Sequence, residues 1–140
     1  MEDQQELASR LRLNINRLHR RLRQESLAGL SPAQASALAA VNRLGSPTLG
    51  ELATTEQVQP PTMTRIVASL QDSAMVTRVT DAADRRSARV RITPAGKRSL
   101  KRIRTLKNAF LTRRLANLSP DEQDRATELV ALLEHLLGDP

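Results

Sequence analysis

Val76-Thr77-Arg78-Val79-Thr80-Asp81-Ala82-Ala83-Asp84-Arg85-Arg86-Ser87-Ala88-Arg89-Val90-Arg91-Ile92-Thr93 is the stretch on which the reading of this chain turns. Valine, isoleucine and threonine crowd its two ends, and β-branched side chains favour extended backbone. The middle is polar and carries two consecutive arginines, Arg85 and Arg86. Strand-like runs on either side of a polar turn predict a β-hairpin. Directly upstream lies a helix-turn-helix pattern, and a hairpin in that position is a wing. A wing with an arginine tip is suited to reaching into a DNA groove. The stretch points to a DNA-binding protein and away from an enzyme.

The upstream pattern is Gln59-Pro60-Pro61-Thr62-Met63-Thr64-Arg65-Ile66-Val67-Ala68-Ser69-Leu70. Pro60 suits the first turn of a helix, where a missing N–H costs nothing. Met63, Ile66, Val67 and Leu70 form an inward stripe, and Gln59, Thr62, Arg65 and Ser69 share the opposite face. Taken alone this is any amphipathic helix with a polar outer side. Its context is more telling. Thr48-Leu49-Gly50-Glu51 is a capping box that starts a short helix through Thr55. Short helix, tight turn, second helix and basic hairpin make the order of a winged helix-turn-helix.

The remaining helices announce themselves by the same signals. Leu7, Leu11, Ile15, Leu18 and Leu22 mark one stripe on a first helix, which should end near Gly29. Ser31-Pro32-Ala33-Gln34 opens an Ala-rich second helix that stops at Gly45-Ser46-Pro47. Thr93-Pro94 begins a long helix with Leu100, Ile103, Leu106, Phe110, Leu111 and Leu115. Ser119-Pro120-Asp121-Glu122 starts the last, which carries Leu129, Leu132, Leu133, Leu136 and Leu137. The fold class is mainly α with a small β-wing.

Charge supports a polyanionic partner. Lys and Arg number 22 against 15 Asp and Glu, a net charge of +7. Between Arg78 and Lys107 the basic residues are dense and only Asp81 and Asp84 oppose them. A solvated helix face would look similar, but here the density coincides with the hairpin. There is no Trp, Tyr or Cys and a single Phe, Phe110. The core must then be aliphatic, and disulfides, thiolate chemistry and sulfur-ligated metals are excluded. His19 and His135 show no ligand spacing, so neither a metal nor a cofactor is expected. Met1-Glu2-Asp3-Gln4-Gln5 is unlike a signal peptide, and no apolar run approaches the ~20 residues needed to span a bilayer. The expectation is a soluble, cytoplasmic protein.

The first helix and the last two carry more leucine than one small head can cover. Left exposed they would form an apolar patch larger than soluble monomers tolerate. A two-fold homodimer would hide them, and an intramolecular bundle is the alternative.

With these elements in place, the chain resembles the MarR family of transcription factors (multiple antibiotic resistance regulators) over nearly its whole length. The resemblance is most specific in the wing, where Asp84-Arg85-Arg86-Ser87 precedes Val90-Arg91-Ile92-Thr93-Pro94-Ala95-Gly96. Leu49-Gly50-Glu51-Leu52-Ala53 matches the positioning helix and Pro61-Thr62-Met63-Thr64-Arg65-Ile66-Val67 the recognition helix. It implies a single MarR-like domain over 1–140, with 31–93 the winged helix-turn-helix and 1–30 and 94–140 the dimerisation helices. It implies a homodimer on double-stranded DNA with no membrane association. Gln59, Pro61, Thr62, Thr64, Arg65 and Ser69 would form the recognition-helix contacts. Asp84, Arg85, Arg86 and Arg89 would form the wing's, with Arg86 in the minor groove and Asp84 steadying the turn. Two departures stand out. Gln59 replaces the usual serine cap, and Ala74 stands where a glycine commonly ends the recognition helix, so a tighter or more helical turn is expected there.

Members of the family bind small, often phenolic or anionic, effectors in the crevice between head and dimer helices, which releases DNA. On the first helix Asn14 and His19 flank the apolar stripe, and with Arg17 and Arg43 they are the candidate pocket residues. A structural hydrogen bond would account for such a histidine equally well. The expected function is a dimeric repressor released from a palindromic operator by a small ligand. The alternative is a DNA-binding or nucleoid-type protein without an effector. No phosphate-binding Gly loop, nucleophile elbow or paired acid supports an enzyme.

Overall fold

A computed structural model describes residues 1–25, 27–80, 83 and 88–138, with only the backbone of Glu25. The elements run α1 (Gln4–Glu25), α2 (Pro32–Leu44), α3 (Leu49–Glu56), α4 (Pro60–Asp72), β1 (Val76–Thr80), β2 (Ala88–Ile92), α5 (Pro94–Ala116) and α6 (Pro120–Leu137). Mostly helical, with one two-stranded antiparallel sheet, this is the winged-helix fold class expected from the sequence. The chain divides into two compact units, Met1–Lys107 and Asn108–Pro140, and α5 runs from one into the other. None of the described helices is long and apolar enough to cross a membrane.

All three capping boxes form as expected. Ser31 Oγ accepts from Gln34 N at 3.1 Å, and Ser31 N donates back to Gln34 Oε1 at 2.9 Å. Thr48 and Glu51 repeat the exchange at 3.1 and 3.2 Å, and Ser119 and Glu122 at 3.2 and 2.8 Å. Each satisfies N–H groups that a helix start otherwise leaves orphaned, a contribution of ~1 kcal/mol apiece.

The first unit closes around an aliphatic core. Leu38 and Val41 of α2, Leu52 of α3, Met63, Val67 and Leu70 of α4, and Val76 and Val90 of the strands are all buried together. Ile103 brings α5 into the same cluster. On α4 the spacing 63, 67, 70 is one helical stripe, as read from the sequence.

The strands pair with Val76 opposite Ile92 and Thr80 opposite Ala88. A third segment joins at the edge. Thr48 forms a bridge with Arg89, and Val90 N donates to Pro47 O at 2.8 Å. The base of the wing is therefore tied to the start of α3.

Two expectations require correction. The first helix ends at Glu25, not near Gly29. Ala28 and Gly29 are both left-handed, with φ of 48° and 82°, and Leu30 N donates to Leu27 O across them. Two successive positive φ angles make a reverse turn that no helix can continue through. The end of α4 is likewise neither tighter nor more helical. Ala74 itself adopts the left-handed conformation, at φ 59°. Met75 N donates to Leu70 O and Ala74 N to Gln71 O, the two bonds of a Schellman end. An alanine there is strained by roughly 1 kcal/mol relative to glycine.

That turn is locked against the start of α5. Thr93 Oγ1 donates to Ala74 O at 2.6 Å and accepts from Gly96 N at 3.1 Å, while Thr93 N donates to Met75 O at 3.0 Å. A Cβ on Gly96 would lie 2.2 Å from Met75 O and 2.7 Å from Ile92 Cγ1, so only glycine permits the approach.

In the second unit the turn between α5 and α6 is clasped by Gln123, whose Nε2 donates to Leu115 O and Leu118 O, both at 3.3 Å. Arg114 stacks over Phe110, 5.0 Å from the ring centre. The α6 apolar residues are largely open to solvent: Leu129, Val130, Leu132, Leu136 and Leu137 are 50–76% exposed. In the first unit Leu7, Leu13, Ile15 and Leu18 of α1 are also about half exposed, at 47–53%.

Candidate nucleic-acid interface

The outward face of α4 is set by what its stripe buries. With Met63, Val67 and Leu70 inside, Pro61, Thr64 and Arg65 are fully outside and Ala68 is half-buried. Asp72 ends the exposed side. A carboxylate there repels phosphate, so a polyanion is best met by the first two turns. Small Ala68 beside Arg65 allows a close approach.

Gln59 occupies the N-cap but makes no side-chain cap bond. Pro60 and Pro61 explain why this is tolerated. Neither has an N–H, so two of the orphan donors of the helix start do not exist, among them the one at the second position that a cap commonly serves. The Gln59 amide is thus left exposed with donors and an acceptor to offer. Thr64 Oγ1 donates its proton to Pro60 O at 3.0 Å, which leaves the hydroxyl oxygen as an acceptor. Arg65 is exposed, in reach of a base edge or a phosphate.

Ser69 departs from the expected outer face. It is half-buried, its hydroxyl donates to Ile66 O at 2.9 Å and accepts from Gln34 Nε2 at 2.7 Å. Thr62, on the same flank, is half-buried too. The face was mis-centred because the polar pattern alone does not say where α2 packs. Gln34, which grips Ser69 while capping α2, gave no sequence signal beyond its capping box.

Of the wing residues, Asp84, Arg85 and Arg86 lie outside the described residues. Arg89 is half-buried, and its Nη1 donates to Ser46 O at 3.1 Å. It braces β2 against the loop before α3. Arg91 is exposed, its Nε at 3.5 Å from Ser46 Oγ, and Arg78 is exposed on β1. Lys97, Arg98, Lys101, Arg102 and Arg104 add exposed positive charge along α5. Reader helix, wing base and this basic segment belong to one unit and supply base-edge donors together with phosphate-attracting charge.

The four candidate pocket residues are not gathered. Asn14 is exposed, its Nδ2 donating to Arg10 O at 2.9 Å, and Arg17 and Arg43 are exposed. His19 alone of the four lines a cavity of about 250 Å³ formed with Arg23, Leu27, Leu100, Ile103 and Lys107. Arg23 follows His19 by four positions, one helical turn, and that spacing was the overlooked signal. Lys107 comes from the far end of the first unit, which only folding brings near. Among the described residues the cavity wall has three basic groups and no acid.

Comparisons with known proteins agree with this geometry. The sequence pattern of the MarR family matches residues 28–87. Mb0904 of Mycobacterium bovis, an uncharacterized HTH-type transcriptional regulator, is 39% identical over 119 residues, covering 84% of this chain and 83% of that protein. MdtR of Bacillus subtilis, an HTH-type transcriptional repressor, is 25% identical over 95% of this chain and 89% of its own. A crystal structure of a Pseudomonas aeruginosa protein superposes with a TM-score of 0.82 at 28% identity, covering 100% of both chains.

Proposed function

The chain belongs to the MarR family of DNA-binding transcriptional regulators, and from that premise we propose that it is a homodimeric repressor of a palindromic operator. The observation that carries the reading is the exposed first half of α4, with Arg65, Gln59 and Thr64 outward, set beside a wing whose base is pinned to α3. Pro61 and Thr62 border the same face. Arg65 serves as the base-edge donor. In the wing, Arg86 enters the minor groove, Asp84 steadies the turn, Arg85 adds phosphate attraction and Arg89 holds the strand. The protein works where its DNA is, in the cytoplasm.

Dimerisation is supported by the exposed apolar residues of α1 and α6. Burying them against a second copy sets two heads on successive turns of the duplex, ~34 Å apart. Repression is favoured by the resemblance to MdtR. The effector is a compact anion or phenol, because the cavity at His19, Arg23 and Lys107 is small, largely apolar and has basic groups as its charged lining among the described residues.

Selection of bound fragments from genomic DNA tests the whole reading. It should yield a two-fold site, and Arg86→Ala should weaken binding to it without lowering the unfolding midpoint. Arg65→Ala should flatten base preference at one position of each half-site by ~1–3 kcal/mol. A uniform loss across sequences would make Arg65 a phosphate contact instead. Titration with benzoate and hydroxybenzoates should release the operator. No response would favour a DNA-binding protein without an effector.

A further inference from the structure

Of the capping boxes in this chain, one departs from the others in its last residue. Thr48 pairs with Glu51 and Ser119 with Glu122, whereas Ser31 pairs with Gln34. A carboxylate at that position would cap equally well and would also suit the positive end of the helix. The first turn of α2 nevertheless holds no acid. What glutamine has and glutamate lacks is an N–H to donate. Gln34 directs it at α4: its Nε2 donates to Ser69 Oγ at 2.7 Å, while its Oε1 accepts from Ser31 N at 2.9 Å. The Ser69 hydroxyl in turn donates to Ile66 O at 2.9 Å. Among the described residues the Gln34–Ser69 bond is the one side-chain hydrogen bond between α4 and another helix.

Its place on α4 matters. Ser69 follows Arg65 by four positions, so the two are neighbours on one flank, with Cβ atoms ~5–6 Å apart. The buried stripe of Met63, Val67 and Leu70 decides which face of α4 is inward, but burial is non-directional. A hydrogen bond adds direction, with a working range of about half an ångström in length. Surface atoms lie ~5–6 Å from a helix axis, so a roll of roughly 10° moves them by about 1 Å. Binding contacts need placement to within about 0.5 Å. The clasp and the readout demand similar precision. Taking α4 as the reading helix proposed above, we infer that Gln34 is a positioning residue for sequence recognition. Through Ser69 it fixes the roll of α4 and so the bearing of Arg65 on the bases. It acts from α2 and needs no contact with DNA.

Equilibrium binding to a duplex selected from genomic DNA and to a shuffled duplex of the same composition, at one salt concentration, gives a specificity ratio. Gln34→Leu removes the donor of the clasp. Ser69→Ala removes the acceptor, and alanine is the better helix former. Either should lower the ratio by about fivefold or more, the lower end of what one bidentate base contact discriminates. Affinity of the Gln34→Leu protein for the shuffled duplex should hold, because phosphate attraction tolerates small displacements. Gln34→Leu also opens half of the capping box, and Ser31→Ala is the control for that loss. It removes the Ser31 hydroxyl and leaves both bonds of the Gln34 amide in place. It should lower the urea unfolding midpoint and spare the ratio. The Gln34→Leu, Ser69→Ala double variant should lose no more than the worse single one, as partners in one bond do. An unchanged ratio in Gln34→Leu, an equal fall in Ser31→Ala, or losses that multiply in the double variant would overturn the assignment. A wild-type protein with no preferred duplex would overturn the recognition reading itself and this role with it.

Discussion

Leu38 of α2 and Leu132 of α6 are the same side chain in the same kind of helix, yet one is 0% exposed and the other 60%. The contrast extends to their surroundings. From α2 to β2 nearly every large apolar residue is covered, turns are closed by backbone hydrogen bonds, and the wing base is pinned on two sides. Along α1 and α6 the apolar residues point to solvent about as often as the charged ones. A single chain therefore completes its reading head. The apolar residues of its terminal helices stay largely uncovered in the single chain.

The comparison can be broken most directly at the terminal helices. Leu132→Asp places a charge in the surface proposed to be shared by two copies, and two-fold symmetry doubles each loss. Self-association measured by sedimentation should weaken by more than about a hundredfold, taking ~1.5–3 kcal/mol per buried leucine. An unchanged dimer would mean that α6 is not the shared surface.

A somewhat smaller effect should come from the head. Gly96→Ala drives a methyl into Met75 O and Ile92, and should lower unfolding stability by ~3 kcal/mol in a urea titration. If stability is unaffected, the junction between wing and α5 is looser than its bonds imply. The smallest effect has the opposite sign. Ala74→Gly removes left-handed strain without touching a contact, and should raise stability by ~0.5–1 kcal/mol. A loss instead would show that the alanine methyl packs usefully.

These regions also differ in how well they could be read from sequence. Helix starts were legible because capping is local: Ser31, Thr48 and Ser119 each find their partner three residues on. The inward stripe of α4 was legible for the same reason. The outward face was only half legible. Gln59 and Arg65 are exposed as the pattern expected and Pro61 and Thr64 as the resemblance implied, whereas Thr62 is half-buried and Ser69 turns aside because α2 offers it Gln34. Arg89 looked like a groove contact, but a carbonyl 43 positions upstream accepts from its guanidinium. Ala74 stands where the resemblance expects a glycine and takes the glycine's left-handed conformation, while the Thr93 hydroxyl that also holds it comes from the other side of the hairpin and gave no local signal.

The side chain of Gln34 holds two helices with one amide. Its oxygen fastens the entrance of α2, and its nitrogen grips α4 at Ser69. Rolling the recognition helix about its own axis pulls on that nitrogen and so tugs the oxygen from Ser31. One planar amide thus ties the orientation of α4 to the hydrogen bonding at the entrance of α2.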